Sequence, residues 1–441
     1  MNLFSEETST WIPLTIQNTK ESILQIQSAS KEFLYGKDGK EYIDGISSWW
    51  TCIHGHRHPE IMQAIQKQTE VLDHVMLAGF LHEPAESLSK KILDLAGGNY
   101  KKVFYSDNGS NAVEIALKLA IQYYKNRDGE KSGRHRSKFI VFSSSYHGDS
   151  IGGMNVSGIT YFNRIFAELR FPVFEIGAPN RFQFSSKEEI SAHYTDILSQ
   201  VTDAISEHPG EYAGVVIEPL VFGAAGMVFY DSEFLRGLKK ITNELDILLI
   251  FDEVFTGMGR TGEYFAFQKA DAVPDLLAFA KGLTGGSLPL AATLVTEKIY
   301  TAFLTEDPYK SFFHAHTMTG NPLACSASLA SIGILEKEGL DQVKNLEISF
   351  RKRMEKLVFS NPGKILNPRI LGSICAFELN QKIGEDEYLN PIGKKLRAKL
   401  LDKNILLRPL GNTVYITPPY NISDSSLDRI FFALDEAIGS L

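Results

Sequence analysis

The chain has 441 residues, 44% hydrophobic and 22% charged, a composition that specifies a large folded core and excludes a disordered polymer. The formal net charge of −8 argues against a nucleic-acid binder, which carries a basic surplus. At roughly 150 residues per domain the length allows two or three domains.

The opening residues MNLFSEETSTW have neither a basic nor an apolar stretch, so no signal peptide is expected. No apolar run is long enough to predict a membrane span. GKDGKEYIDGI (36–46) reads as a hairpin. From residue 101 onward, short apolar runs alternate with helical patterns. The predicted strands are 101–106, 138–143, 213–219, 246–253, 275–280 and 290–296. Several are continuously apolar, as strands covered on both faces are. Helical patterns occupy 111–124 and 232–245. The polar stretch 125–138 reads as an exposed loop. Strand, helix, strand at this spacing predicts an α/β fold with a mainly parallel sheet. After residue 324 come two long helices (325–339 and 343–357), β-rich pieces at 370–379 and 412–419, and a last helix near 424–440. These predict a separate α+β unit, which the short N-terminal segment joins. The expected division is 1–59 and 325–441 as a small domain, with 60–324 as a large one. Cys52, Cys325 and Cys375 are far apart and form no CxxC pair. Packing roles in a reducing, cytoplasmic setting fit them best.

Open α/β sheets bind ligands beyond the carboxyl ends of their strands, and four groups of polar residues fall there. Lys281 directly follows the run 275–280; a lysine desolvated at a strand mouth suits a Schiff base with a carbonyl, though a strand-end lysine can simply reach solvent. Asp252 closes the apolar run DILLIF and needs a partner, because a buried unpaired charge is costly. A salt bridge, an N-cap or the pyridinium nitrogen of pyridoxal 5′-phosphate (PLP) would each serve. Gly109 and Ser110 open a convincing helix, whose free N–H groups suit a phosphate or only an ordinary cap. Tyr146, His147 and Asp149 follow another strand and could stack on a planar ring or form a plain loop. The order of phosphate site, aromatic platform, Asp and Lys, each after a predicted strand, points to a PLP enzyme. The alternating His54, His56 and His58 could bind a metal on a strand or serve as a structural turn.

The segment FDEVFTGMGRTG (251–262), followed by Lys281, resembles the class III aminotransferases among fold-type I PLP enzymes, over nearly the whole chain. That resemblance implies an aspartate aminotransferase-like large domain with a mainly parallel sheet, plus a smaller α+β domain formed by both chain ends. Lys281 would carry the cofactor, Asp252 hold its ring nitrogen, Gly109 and Ser110 bind its phosphate, and Tyr146 flank the ring with His147 beside it. Glu218, in the IEP strand end, is similar to the family's carboxylate on the hydroxyl side of the ring. The resemblance further implies that Thr317, with His316 next to it, reaches the phosphate of a partner subunit, so that a homodimer shares its active sites. It gives the three histidines a structural place.

SSWW with HGHRHP (47–59), LDHVMLAGFLHEPA (72–85), SYHGDS (145–150), HTMTGNPLAC (316–325) and LLRPLGNTVYITPP (406–419) are similar to the branch of the family that aminates 8-amino-7-oxononanoate to 7,8-diaminononanoate in biotin biosynthesis. There Trp49 and Trp50 would form an apolar wall, and Arg408 a guanidinium fork for a carboxylate. Tyr146, Asp149, Ala315 and Lys281 would also face substrate. Leu14 stands in TWIPLTI (10–16) where the family carries an aromatic residue, and His316 replaces a common proline. Retention of Trp49 favours S-adenosylmethionine over lysine as amino donor. Rival readings are a class III aminotransferase for ω-amino acids or diamines, an aminomutase or decarboxylase on the same fold, and a PLP-binding regulator. The Trp49–Trp50 pair and Arg408 argue against the first two, and the lack of a basic DNA-binding module against the last.

Overall fold

The apolar runs of the middle of the chain pair into one seven-stranded sheet. In the computed structural model, which describes residues 8–16, 23–129, 135–158, 163–380 and 390–441, the spatial order is Tyr100–Ser106, Ala291–Thr296, Leu276–Phe279, Leu248–Asp252, Tyr212–Ile217, Lys138–Phe142 and Phe174–Ile176. Every residue of the four strands Tyr212–Ile217, Leu248–Asp252, Leu276–Phe279 and Ala291–Thr296 is buried. Alternate side chains feed two cores. Leu248 and Ile250 pack on one face with Val113, Ala116 and Ala120 of the helix Gly109–Asp128. Leu249 and Phe251 pack on the other with Phe234 and Leu238 of the helix Ser232–Glu244. Each such side chain contributes on the order of 1.5–3 kcal/mol by leaving water, so a strand with both faces covered has no polar alternation to show.

The sheet is parallel except for Ala291–Thr296, which runs antiparallel to both its neighbours. All the other carboxyl ends therefore open on the same side. Phe174–Ile176 escapes prediction because it is three residues long with two of them exposed.

The expected loop 125–138 begins later than its composition suggests. The helix runs to Asp128 and ends at Gly129, whose φ is +73°; residues 130–134 of that stretch, like residues 1–7 of the N-terminal segment, lie outside the described residues.

Both chain ends meet in a second sheet. Ile26–Ser30, Phe33–Gly36 and Glu41–Asp44 form an antiparallel meander, and Ile405–Leu406 pairs parallel with Glu41–Asp44. The stretch 370–379 is not one β piece but a tight hairpin between Ile365–Leu371 and Ile374–Leu379, with Thr413–Ile416 as third strand. Gly372 makes the turn at φ +56°, and a Cβ there would lie 2.5 Å from the Arg260 carbonyl oxygen. The two expected C-terminal helices are continuous. Pro322–Ile334 passes through a π turn, Leu335–Gly339, into Leu340–Ser360, because Gly339 keeps a helical φ of −62°. Among the described residues no helix is long and apolar enough to cross a membrane. The three cysteines are free and buried.

Candidate active site

A cavity of 740 Å³ lies at the carboxyl ends of the parallel strands, and Ser110, Tyr146, His147, Glu218, Asp252 and Lys281 all face it. They reach it from the ends of five strands or the turns after them, Tyr146 and His147 sharing the turn after Lys138–Phe142. This is where an open α/β sheet leaves backbone groups and side chains without neighbours.

Lys281 follows Leu276–Phe279 after one residue and takes a left-handed φ of +47°. The turn turns its amine back over the sheet, with Nζ 4.3 Å from the centre of the Trp50 ring. Burial lowers its pKa to about 8, with Asp252 and Glu218 pulling the other way. About a tenth of such an amine is free base at pH 7 and about half at pH 8, far more than for an ordinary lysine.

Asp252 ends its strand 5% exposed. Its Oδ1 accepts the Val254 N–H at 2.9 Å, and its Oδ2 lies 2.8 Å from His147 Nδ1. With Nδ1 committed to a carboxylate, the imidazole donates there, and His147 Nε2 is buried with no partner among the described residues. Glu218 accepts the N–H groups of Tyr146 (3.1 Å) and Gly223 (2.9 Å). Burial pushes its pKa up to about 7; His147 opposes this and Asp252 adds to it. Burial, and then the carboxylate of Asp149, hold the Tyr146 phenol well above its usual range.

Asn108 caps the 20-residue helix Gly109–Asp128 through its side chain, which accepts the Asn111 N–H at 2.9 Å. Gly109 and Ser110 thus stand at the open, electropositive end of the helix. Ser110 Oγ is 2.8 Å from Ser150 Oγ and accepts the Ser150 N–H at 3.1 Å. The walls leave no room for side chains at two glycines. A Cβ on Gly109 would lie 2.6 Å from Val254, and one on Gly148 would lie 2.0 Å from Ser110 Oγ. A glycine-walled helix terminus, a buried carboxylate and a desolvated amine fit the phosphate, ring nitrogen and carbonyl of PLP.

Trp50 lines the cavity and packs on Phe255 at 4.4 Å between ring centres. Asp149 also lines it, while exposed to solvent. Trp49 and Arg408 lie outside the lining but against each other, with the guanidinium carbon 5.0 Å from the indole centre. Leu14 is 51% exposed and is not brought to the cavity. Ala315 and Thr317 are exposed and His316 half-buried, and none lines the cavity of its own chain. His316 Nε2 is 4.0 Å from Asp107 Oδ1 at the cavity edge. His54 meets Ser331 Oγ at 3.0 Å, His56 meets Asp44, and His58 precedes the helix Pro59–Thr69.

Sequence reasoning missed Asp107, Val254 and Thr284 in the lining. Val254 is two residues from Asp252, and Thr284 three from Lys281, so proximity to the predicted residues was the available signal. It also missed Arg260, fully buried, whose guanidinium donates to the carbonyl of Trp50 at 3.0 Å and to Ser373 Oγ at 3.2 Å. Arg260 ties the tryptophan loop to the C-terminal sheet.

The family model for class III aminotransferases matches residues 15–438, and the chain belongs to that family of PLP-dependent enzymes. A protein of Synechococcus elongatus named adenosylmethionine-8-amino-7-oxononanoate aminotransferase is 40% identical over 432 residues, covering 98% of both chains. A protein of the same name from Geobacter sulfurreducens is 36% identical over 440 residues, covering 97% of this chain and 95% of its own. Among solved structures, that aminotransferase from Methanocaldococcus jannaschii superposes with a TM-score of 0.87 at 35% identity, covering 98% of this chain and 97% of its own. A PLP-bound amine transaminase from an uncultivated Pseudomonas species gives 0.87 at 25% identity, with coverages of 98% and 99%.

Proposed function

We propose that this aminotransferase converts 8-amino-7-oxononanoate to 7,8-diaminononanoate in biotin biosynthesis, with S-adenosylmethionine as amino donor. The observation that carries the reading is the 40% identity, over 98% of both chains, to a relative named for that pair of substrates. The Trp49–Arg408 pair supports it, because a flat apolar face beside a guanidinium suits a long aliphatic chain that ends in a carboxylate.

PLP, when bound, supplies a carbonyl that bonds amines and a ring that withdraws electrons. The protein's part is positional and electrostatic. Asp252 holds the proton on the ring nitrogen, backed by the His147 donor on its second oxygen. Gly109, Ser110 and the helix behind them take the phosphate. Tyr146 and Glu218 flank the ring. Lys281 Nζ removes the proton from the amine-bearing carbon of the donor and later delivers one to the carbon that receives the amine. An amine with a pKa near 8 does both close to neutrality.

Residues 60–324 act as the cofactor-binding domain, and 1–59 with 325–441 as the small domain, a division supported by the strand pairing of Glu41–Asp44 with Ile405–Leu406. The working unit is a homodimer in the cytoplasm. The exposed Phe313, Thr317 and Met318 suit a face that completes the neighbouring subunit's phosphate site with Thr317 and His316. Lysine as donor is the second reading, favoured by His316 in place of the common proline.

The test supplies 8-amino-7-oxononanoate with S-adenosylmethionine or with lysine and follows the diamine by mass spectrometry. Product with S-adenosylmethionine is expected. Product with lysine alone moves the assignment to the second reading, and none with either donor overturns both. Sedimentation of the holoenzyme as a monomer would overturn the shared site.

A further inference from the structure

Ser47, Ser48, Trp49 and Trp50 have φ values of +49°, +46°, +69° and +74°. Four consecutive non-glycine residues therefore form a turn of left-handed helix, with ψ of 56° at Ser48 and 45° at Trp49. Each L residue in that conformation crowds its Cβ against the following carbonyl oxygen, and such residues normally occur singly. A run of four persists only where its surroundings over-determine it.

Both ends of the turn are fixed from other parts of the chain. Ser47 Oγ donates to the Thr417 carbonyl at 2.7 Å, and Arg260 donates to the Trp50 carbonyl at 3.0 Å. The middle is fixed by a separate cluster. Ser48 Oγ donates to Asp44 Oδ2 at 2.7 Å, and the same oxygen lies 2.9 Å from His56 Nε2. Asp44 is fully buried, and its other oxygen lies 3.3 Å from the Ile46 nitrogen as acceptor. Burial works against a charge on His56, but the bond to Asp44 and the neighbouring Cys52 outweigh it and push its pKa up to about 10. Serine, histidine and aspartate here are not a nucleophilic triad. Ser48 and Asp44 address the same ring nitrogen, so the imidazole cannot relay a proton from one to the other.

The turn sends the two tryptophans in different directions. Trp50 is 4% exposed, beneath Lys281, while Trp49 is 42% exposed beside Arg408. We infer that Asp44, Ser48 and His56 are positioning residues that hold Ser47–Trp50 left-handed and thereby set the Trp49–Arg408 surface, governing substrate affinity rather than turnover. The substrate part of this inference rests on the function proposed above.

Two substitutions at one position test it in the holoenzyme. Ser48→Ala and Ser48→Gly both remove the hydroxyl, but only glycine adopts positive φ freely. Ser48→Ala is expected to raise KM for the keto acid about 5- to 30-fold with kcat little changed. It should also alter the near-ultraviolet circular dichroism of the tryptophans and the acrylamide quenching of Trp49. Ser48→Gly should stay within about twofold of wild type in KM and keep the wild-type spectrum. His56→Ala, which strips Asp44 of its partner, should move with Ser48→Ala. Equal impairment by Ala and Gly would overturn the inference, since the hydroxyl itself would then be in use. So would unchanged KM and spectra in both. The spectra and quenching need no substrate, so the comparison still decides the positional claim if the keto acid proves to be the wrong one.

Discussion

Gly148 gives the sharpest test of the phosphate cradle. It follows His147 with φ +112°, and a Cβ there would lie 2.0 Å from Ser110 Oγ, 2.6 Å from Ser110 Cβ and 3.0 Å from Ser110 Cα. Rotating the Ser110 side chain relieves only the first of these. The other contacts force the helix start or the 146–150 loop to shift, because ordinary contact begins near 3.4 Å. Overpacking of this kind costs about 1–3 kcal/mol, and an L residue held at this φ about 1–3 kcal/mol more. Gly148→Ala should therefore destabilise the cofactor-free protein by roughly 2–6 kcal/mol in urea unfolding. Gly79 provides the control: its φ is +87°, and a Cβ there would meet nothing within 4 Å. Gly79→Ala should carry only the backbone part. The difference between the two variants isolates the clash with Ser110. The same shift moves the Ser110 hydroxyl away from Ser150, so PLP affinity, followed by fluorescence titration, should fall about 10- to 100-fold, or roughly 1.4–2.8 kcal/mol. A Gly148→Ala variant that loses no more stability than Gly79→Ala and binds PLP as wild type does would refute the clash with Ser110.

Two further predictions concern protons. In the cofactor-free protein, reaction of Lys281 with a water-soluble acylating reagent should switch on around pH 8, where its lowered pKa leaves the free amine; an inflection at the ordinary 10.5 would contradict the burial argument. Asp252→Asn should move that inflection further down, because the carboxylate favours the ammonium. Glu218 works in the opposite sense to a salt-bridged carboxylate. Its pKa is raised from the ordinary 4.5 to about 7, so between those values the folded chain binds the proton and the unfolded chain does not. Its contribution is fully present below pH 4.5 and is lost as pH rises through 7, at most about 3 kcal/mol. Glu218→Gln should therefore be more stable than wild type in cofactor-free form at pH 8 and lose that advantage near pH 4.5; a pH-independent difference between the two would refute this.

Much of this is legible in the chain because burial on both faces writes itself into composition. Leu248–Asp252 reads as a strand since neither face tolerates a polar residue before Asp252. The polar residue that ends such a run must then face whatever the strand's mouth faces, and this is how Asp252 and Lys281 become visible. Strand direction is not written the same way. Nothing in AATLVT distinguishes the one reversed strand from its parallel neighbours. The left-handed turn at Ser47–Trp50 is equally hidden, because it contains no glycine and depends on Asp44, His56, Arg260 and Thr417 from elsewhere. Leu14, Ala315, His316 and Thr317 fall outside this chain's own lining. The resemblance gives Thr317 and His316 to a partner subunit's phosphate, but it names Leu14 and Ala315 as substrate-side positions without saying whose cavity they serve.

Asp252 and Glu253 show how far environment, rather than adjacency, assigns chemistry. The two carboxylates are neighbours, and both are buried. The period of two along a strand sends them to opposite faces. Glu253 turns toward the helix Ala266–Ala270 and accepts the N–H groups of Ala266 at 2.6 Å and Phe267 at 2.8 Å. Burial pushes its pKa up to about 8 against those bonds, so it serves as a helix anchor that readily carries a proton. Glu218 also faces the cavity, but among the described residues its oxygens are met by the backbone N–H groups of Tyr146 and Gly223. Of the three, and among the described residues, only Asp252 hydrogen-bonds a side chain that can carry positive charge, through His147 Nδ1. A buried carboxylate facing a ring nitrogen needs its second oxygen satisfied, and a side-chain donor does that. Under the function proposed above, Glu253 is set aside by the face it takes, and the His147 contact favours Asp252 over Glu218 for the ring nitrogen.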